Sequence, residues 1–476
     1  MIEKNKLKWI YILCGIFTLL NGILVANEFY WLSLLPFLIV IVLLYLYSLD
    51  KLILLLVFFT PLSINFTNVF AGMGLSLPTE PLMLGLLFIF IFKILTDKNY
   101  DKSFLNHIIS KAILIYLFWI LITVFTSSLP IVSLKFLLAR LWFISSVFFL
   151  GVPLFKEKKN FGRFMWMYIF AFIVVIFYTI YNHSLHGFSE HTGHWVMSPF
   201  YNDHTAYGAL LAFFIPVVVY FTFGKRYKFS IKIISFFILV LFFIAFLLSY
   251  CRAAWLSLII GFLVWMIIVF RIKIKWLFLV LLLIAGIFYA FKDPILYKLE
   301  KNKQDSSTDI LKHVQSVSNI SSDASNLERI NRWNSAFKMF YERPVFGWGP
   351  GTYQFIYGPY QSSKDKTIIS TNVGDKGNAH SEYIGPLAES GILGALTFIL
   401  ILITAIYTAI KIYHKSNDRK IKGLILAIIT SLTTYIIHGS LNNFLDTDKA
   451  AIPFWGFIAM IVAIDLYHTN KEEIKS

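Results

Sequence analysis

Residues 233–268 read IISFFILVLFFIAFLLSYCRAAWLSLIIGFLVWMII. Two apolar runs, each long enough to cross a bilayer as a helix, are joined only by the turn Ser249-Tyr250-Cys251-Arg252. Runs of this kind recur along the chain. Of its 476 residues 58% are hydrophobic and 14% charged, with a mean hydropathy of +0.71. A soluble protein of this length needs far more polar surface, so the chain reads as an all-α, polytopic membrane bundle. Fourteen candidate spans centre near Phe17, Leu43, Phe58, Phe88, Trp119, Phe148, Val174, Phe214, Val240, Phe262, Leu283, Leu400, Ile429 and Ile458. The runs at Leu43 and Phe58 are separated only by Ser48-Leu49-Asp50-Lys51.

Charge sets the orientation. Lysine and arginine gather at Lys4/Lys6/Lys8, Lys51, Lys98/Lys102, Lys156/Lys158/Lys159/Arg163, Lys225/Arg226/Lys228, Arg271/Lys273/Lys275, Lys415/Arg419/Lys420/Lys422 and Lys471/Lys475. The alternate loops 27–29, 65–80 and 181–203 hold none. This alternation places both termini in the cytoplasm of a multi-pass protein of the cytoplasmic membrane. The formal net charge of +16 is then topogenic, and no nucleic-acid partner follows from it. Residues 9–26 read as a retained first helix, because no small-x-small cleavage pattern closes them. The two cysteines, Cys14 and Cys251, carry neither metal nor disulfide spacing.

Three regions follow: an N-terminal bundle over 1–291, a large outward loop over 292–384, and C-terminal helices over 385–476. Within the loop, Ile330, Trp333, Phe337 and Phe340 recur at i, i+3, i+7 and i+10, a helical apolar stripe that predicts a small amphipathic helical cap over the outer mouth of the bundle. Gly347-Trp348-Gly349-Pro350-Gly351 ends it. That glycine run reads as a turn and not as a phosphate loop, because no strand precedes it and no Lys-Ser/Thr follows.

Arginine on the outward side breaks the charge rule, and a cation retained at membrane depth points to function. Arg252 stands in the turn between two spans, while Lys135 and Arg140 follow Ser133 near the outward start of another. Arg329 and Arg332 lie in the loop, and Lys449 is also outward. A guanidinium fork suits phosphate or pyrophosphate oxygens and keeps its charge. His380, in Asn378-Ala379-His380-Ser381-Glu382-Tyr383, stands at the outward mouth, where a neutral imidazole is able to take a proton from a hydroxyl. Downstream, Gly385, Gly391 and Gly394 thin the start of the next helix for close packing. Asn202, Asp203 and His204 open another span; they line the same cavity or, equally, cap that helix. No cluster has metal spacing, and no cofactor is indicated.

Taken in order, these pieces resemble the O-antigen ligase and O-antigen polymerase superfamily. Ser249-Tyr250-Cys251-Arg252-Ala253-Ala254-Trp255 resembles its Ser-Arg-small-small-aromatic turn, with Tyr250-Cys251 interposed. Arg329-x-x-x-Trp333, followed by Arg343-Pro344-Val345-Phe346-Gly347-Trp348-Gly349, is similar to its large-loop signature. His380-Ser381 with Gly391-x-x-Gly394 is similar to the ligases' His-[Asn/Ser/Gln]-x9-Gly-x-x-Gly pattern. The resemblance covers about residues 201–398. It implies a GT-C-like bundle and metal-independent glycan transfer from a polyprenyl-pyrophosphate-linked donor. Arg252 and Arg329 would bind the pyrophosphate and His380 would serve the acceptor hydroxyl. Arg332, Trp333, Ser381, Glu382, Lys135, Arg140, Asn202, Asp203 and His204 would contact substrate. The acceptor is lipid A core in a ligase, a second carrier-linked glycan in a polymerase, or a protein hydroxyl in a third group. A flippase for lipid-linked sugars, the rival of another class, predicts midplane charges and internal repeats that the sequence does not display.

Overall fold

The computed structural model describes residues 4–70, 73–225, 227–273, 275, 324–362 and 377–469. The chain divides into two compact units, Met1–Leu55 and Leu56–Ser476. The first holds α1 (Lys4–Ala26) and, after a single tight turn at Trp31–Leu34, α2 (Leu35–Tyr47). The Ser33 hydroxyl donates to the Asn21 side-chain oxygen at 2.9 Å. α3 (Leu49–Phe59) crosses the boundary between the units.

The second unit begins with a hairpin that the sequence reading lacked. β1 (Ile64–Phe70) and β2 (Met73–Leu77) pair antiparallel, with Ile64 opposite Leu77 and Asn65 opposite Ser76. The helices α4 (Thr79–Thr96), α5 (Ile108–Phe125), α6 (Pro130–Leu154), α7 (Lys159–Leu185), α8 (His204–Phe223), α9 (Phe229–Leu248) and α10 (Arg252–Val269) follow. Then come α11 (Ala324–Glu342), α12 (Ile384–Lys415), α13 (Arg419–His438) and α14 (Asp448–Thr469).

Among the described residues ten helices are long and apolar enough to span a membrane, not fourteen. The runs at Phe17 and Leu43 give the shorter apolar stretches Tyr11–Ala26, within α1, and Trp31–Tyr47. The run at Phe58 makes only the eleven-residue α3, because Pro61 has no N–H to continue it and the chain enters the hairpin. The run at Leu283 lies outside the described residues.

Short connections make the spans alternate in direction, so their ends fall into two sets. One set carries Lys98, Lys158, Lys228, Arg271 and Lys420; the other carries His204, Arg252, Tyr383 and His438. α8 packs on α9 and α13, α10 packs on α13, and α12 packs on α5 and α11. α14 is the innermost element, with every residue of Asp448–Ile464 buried. At its start Lys449 donates from Nζ to the carbonyls of Thr60 (3.0 Å), Pro61 (3.3 Å) and Ser63 (2.5 Å). Asp448 accepts from the Ser63 and Thr79 hydroxyls at 2.5 and 2.6 Å. A buried ammonium needs such a cage, so Lys449, expected from sequence among the outward cations, ties the foot of the hairpin to α14.

The loop is more closely tied to the bundle than its pattern shows. On α11 the stripe residues Ile330, Trp333 and Phe340 are half-buried and Phe337 is 37% exposed, whereas the most buried face is Glu328, Asn331, Arg332, Ser335, Ala336 and Met339. That face wins because its polar groups satisfy chain ends that no apolar stripe is able to serve. Asn331 donates to Gln361 (3.3 Å) and accepts from the Ser362 N–H (3.1 Å), while Ala336 and Met339 meet Tyr353, Tyr357 and Ala388. Gly391 does more than thin a helix. Its φ of 68° breaks α12, and the Ile392 N–H turns to the Pro344 carbonyl at 2.9 Å. The carbonyls of Ala388 and Glu389 accept from the N–H groups of Trp348 (3.0 Å) and Gly349 (2.8 Å). The glycine run is therefore a docking turn on α12.

Candidate functional site

The turn between α9 and α10 is where the site begins. Tyr250 takes φ 48° and donates its hydroxyl to the Phe188 carbonyl at 2.9 Å. α8 comes hard against this turn because Gly208 has no side chain; a Cβ there would meet Cys251 and Ser249. Gly208 is one helical turn beyond His204, so the close approach brings His204 toward Arg252, the first residue of α10. Asp203 starts α8 by accepting from the N–H groups of Thr205 (2.8 Å) and Ala206 (2.9 Å), which makes it a cap. Asn202 is exposed beside it. The His204 ring stacks on His194, with centroids 4.2 Å apart and planes at 18°. The Arg252 guanidinium lies 3.6 Å from the Glu190 carboxylate. Burial pushes the Cys251 thiol up to about 12, so it stays protonated and is no nucleophile.

The opposite wall comes from α11 and the segment before α12. Arg332 spends its guanidinium on structure: Nε donates to Glu328 (2.7 Å) and Nη1 to the Asn378 carbonyl (3.0 Å). Asn378 in turn accepts from the His380 N–H at 3.1 Å, and His380 takes φ 47°. Burial, reinforced by the positive charges of Arg332 and Arg329, pushes the His380 imidazole down to about 4, with Asp203 and Glu328 opposing. It is neutral at physiological pH.

Arg329 is the hub. Its charge acts on His380, on His204 and on His438, the last residue of α13, while Arg252 also acts on His204. His438 is buried, stacks on Phe444 (5.7 Å between centroids) and has Nε2 3.1 Å from the Asn442 amide nitrogen. Sequence reasoning passed over His438, His194 and Glu190. The signal was present, since all three stand in stretches free of Lys and Arg beside a span end.

Other expected contacts prove to be occupied by the fold. Arg140 is buried and donates to the Leu445 carbonyl and the Asp446 carboxylate, both at 2.6 Å. One oxygen of Glu382 accepts from the Tyr435 hydroxyl (2.6 Å) and from the N–H groups of Phe444 and Leu445 (2.9 Å each). Burial, then the nearby Asp446, pushes the Glu382 carboxyl up to about 7. Arg140 and Glu382 thus shape the loop between α13 and α14 from both sides. The Ser381 hydroxyl accepts from the N–H groups of Tyr383 and Ile384 and caps α12. Glu389 accepts from the Tyr353 N–H at 3.0 Å. Lys135 is exposed on α6, apart from the buried Arg140. Trp333 shares the face of α11 that carries Arg329, one turn on, and its buried indole N–H has no hydrogen-bond partner among the described residues.

The residues that meet at Arg329 come from the α8, α10, α11, α12 and α13 regions, and the central part of the chain also matches a known family. The family model described as O-antigen ligase matches residues 237–399. This segment is similar to the O-antigen ligase family. A protein of Haemophilus influenzae, itself uncharacterised, is 24% identical over 258 residues. The match covers 54% of this chain and 62% of that relative, so the chain spans less than two thirds of its length. The matched segment contains Arg252, Arg329 and His380, whereas His204 and His438 lie outside it and come near Arg329 only through packing.

Proposed function

We propose that the protein is a glycosyltransferase of the ligase type, moving a glycan from a polyprenyl-pyrophosphate carrier to a hydroxyl of lipid A core at the outer face of the cytoplasmic membrane. The observation that carries this reading is the convergence of Arg252 and Arg329 on His204, with a neutral His380 beside Arg329. The acceptor oxygen attacks the anomeric carbon, and the bond from that carbon to the pyrophosphate oxygen breaks. The electron pair leaves with the pyrophosphate, whose developing charge the two guanidinium groups stabilise. The acceptor proton passes to a ring nitrogen of His380. The arginines that depress His380 are the groups a bound pyrophosphate neutralises, so donor binding makes the imidazole more basic when a base is needed. Because the guanidinium groups supply the fixed positive charge, EDTA is expected to leave the rate unchanged.

The test is reconstitution of the purified protein with a polyprenyl-pyrophosphate glycan and either lipid A core or a second carrier-linked glycan. Product on lipid A core supports the proposal. Lengthened carrier-linked chains would make the protein a polymerase instead, and modified protein would make it an oligosaccharyltransferase. Reporter fusions at Lys228 and Lys420 are expected in the cytoplasm and at Asp446 outside; the reverse would overturn the orientation on which the site depends.

A further inference from the structure

The hairpin takes no part in the chemistry above, yet α14 spends its Asp448 and Lys449 side chains on holding it. Its foot forms one wall of a cleft of about 490 Å³, open mouth included. Asn65 of the hairpin lines this cleft together with Phe200 and Asn202, which precede α8, and Phe444, which precedes α14. The back wall is fixed. Lys449 is enclosed by Thr60, Pro61 and Ser63, and its carbonyl accepts from the Tyr168 hydroxyl at 2.8 Å.

Two side chains of the lining are uncommitted. Asn65 and Asn202 are exposed, and neither amide has a hydrogen-bond partner among the described residues. Gly74 of β2 makes room for the first of them, since the Asn65 side-chain oxygen lies against the place that a Cβ on Gly74 would take. Phe200 and Phe444 are half-buried, the one edge to face with Tyr178 and the other stacked on His438. An amide donates and accepts at once, which matches neighbouring ring hydroxyls, and a phenyl face suits the C–H side of a pyranose. Asp203 caps α8 and adds a negative charge to the lining, which disfavours an acidic guest. The ammonium of Lys449 does not offset that charge, because it is enclosed and has Asp448 beside it.

We propose that this cleft binds one uncharged pyranose of the acceptor glycan, with Asn65 and Asn202 on its hydroxyls and Asp203 excluding acidic sugars. The cleft adjoins the polar cluster, since Asp203 precedes His204 and Phe444 stacks on His438. No residue of α10 or α11, which carry Arg252 and Arg329, lines it. A sugar held there lies on the side away from the donor's pyrophosphate. The inference rests on the glycan-transfer reading in assigning that sugar to the acceptor.

The test uses the full-length protein in nanodiscs and saturation-transfer NMR. The probes are the methyl glycosides of glucose, galactose, rhamnose and N-acetylglucosamine, beside methyl glucuronide and methyl galacturonide. At least one neutral glycoside should bind, severalfold more tightly than either uronide. Asn65→Ala and Asn202→Ala should each weaken that binding about 2–10-fold, the loss expected for a neutral hydrogen bond. Asp203→Asn keeps the helix cap and removes the charge, so a uronide should then bind about as tightly as its neutral counterpart. An Asp203 that only caps α8 would leave the ratio unchanged, which would overturn the exclusion of acidic sugars. No binding by any neutral glycoside, or binding indifferent to both asparagine variants, would overturn the cleft itself. Binding requires no transfer, so a protein that binds as expected but moves no glycan refutes the glycan-transfer reading alone. In the transfer assay Asn202→Ala should raise the KM for the acceptor and leave that for the donor. Transfer with an unchanged acceptor KM would refute the cleft alone.

Discussion

His194 and His204 stack face to face, 4.2 Å between centroids, beside the guanidinium of Arg252. Two imidazolium rings at that separation repel each other and the arginine, so the stack favours neutral rings. Burial lowers the pKa of His194, with Glu190 opposing. A histidine held below its unfolded value near 6.5 contributes stability above that pH and loses it as pH falls. Thermal stability should therefore drop from pH 7 to pH 5. His194→Phe, which keeps a stacking ring but cannot titrate, should flatten that drop. An unchanged slope in the melting profile would detach the pair from acid sensitivity.

Arg252→Ala should lower transfer by about 100-fold or more while leaving the folded protein intact. Its ion pair with Glu190 is partly exposed on both sides, so its loss costs about 1 kcal/mol or less. Arg252→Lys should recover little, since an ammonium cannot form a bidentate fork. The measurement is glycan transfer per unit of protein that survives detergent extraction and gel filtration.

For His380, kcat/KM reports the free protein and should hold down to a limb near pH 4, where the imidazole takes its proton. The limb in kcat reports the donor complex and should lie higher, because bound pyrophosphate offsets Arg332 and Arg329. His380→Gln should remove turnover and leave donor binding nearly unchanged. Turnover near that of the wild type would show that the ring only orients the acceptor.

Arg140→Ala should act on stability and not on donor affinity. It leaves the Leu445 carbonyl and Asp446 without their charged donor, a loss of about 1.5–3 kcal/mol for hydrogen bonds of this kind. A lower melting temperature with unchanged donor affinity in the surviving protein is the expected pair of readings.

Gly391→Ala should also destabilise, through the backbone. At φ 68° a Cβ costs about 1–2 kcal/mol, and here it would also meet the Val345 carbonyl. The docking turn at 347–351 is expected to loosen, so proteolysis of the native protein between α11 and α12 should quicken.

Much of this protein was legible without coordinates. The membrane class follows from composition and the alternation of helix ends from lysine and arginine, while Arg252, Arg329 and His380 enter as the proposed site because their chemistry fits their place along the chain. Such signals are local or periodic, and a one-dimensional string retains them. The sequence could not say which polar groups remain for substrate. Arg140, Arg332, Glu382 and Asp203 look as available as Arg252, but each is spent on backbone groups of a segment distant in the chain or on a helix start. The hairpin and the buried polar face of α11 were hidden for the same reason, since hydrogen-bond satisfaction across the fold outweighed local apolar pattern there. His438 and His204 join the site only because α13 and α8 pack against α10, with Gly208 letting α8 close on the Cys251 turn. Such a pairing is a tertiary event. The residues that make it lie far apart in the chain, and no periodicity links them.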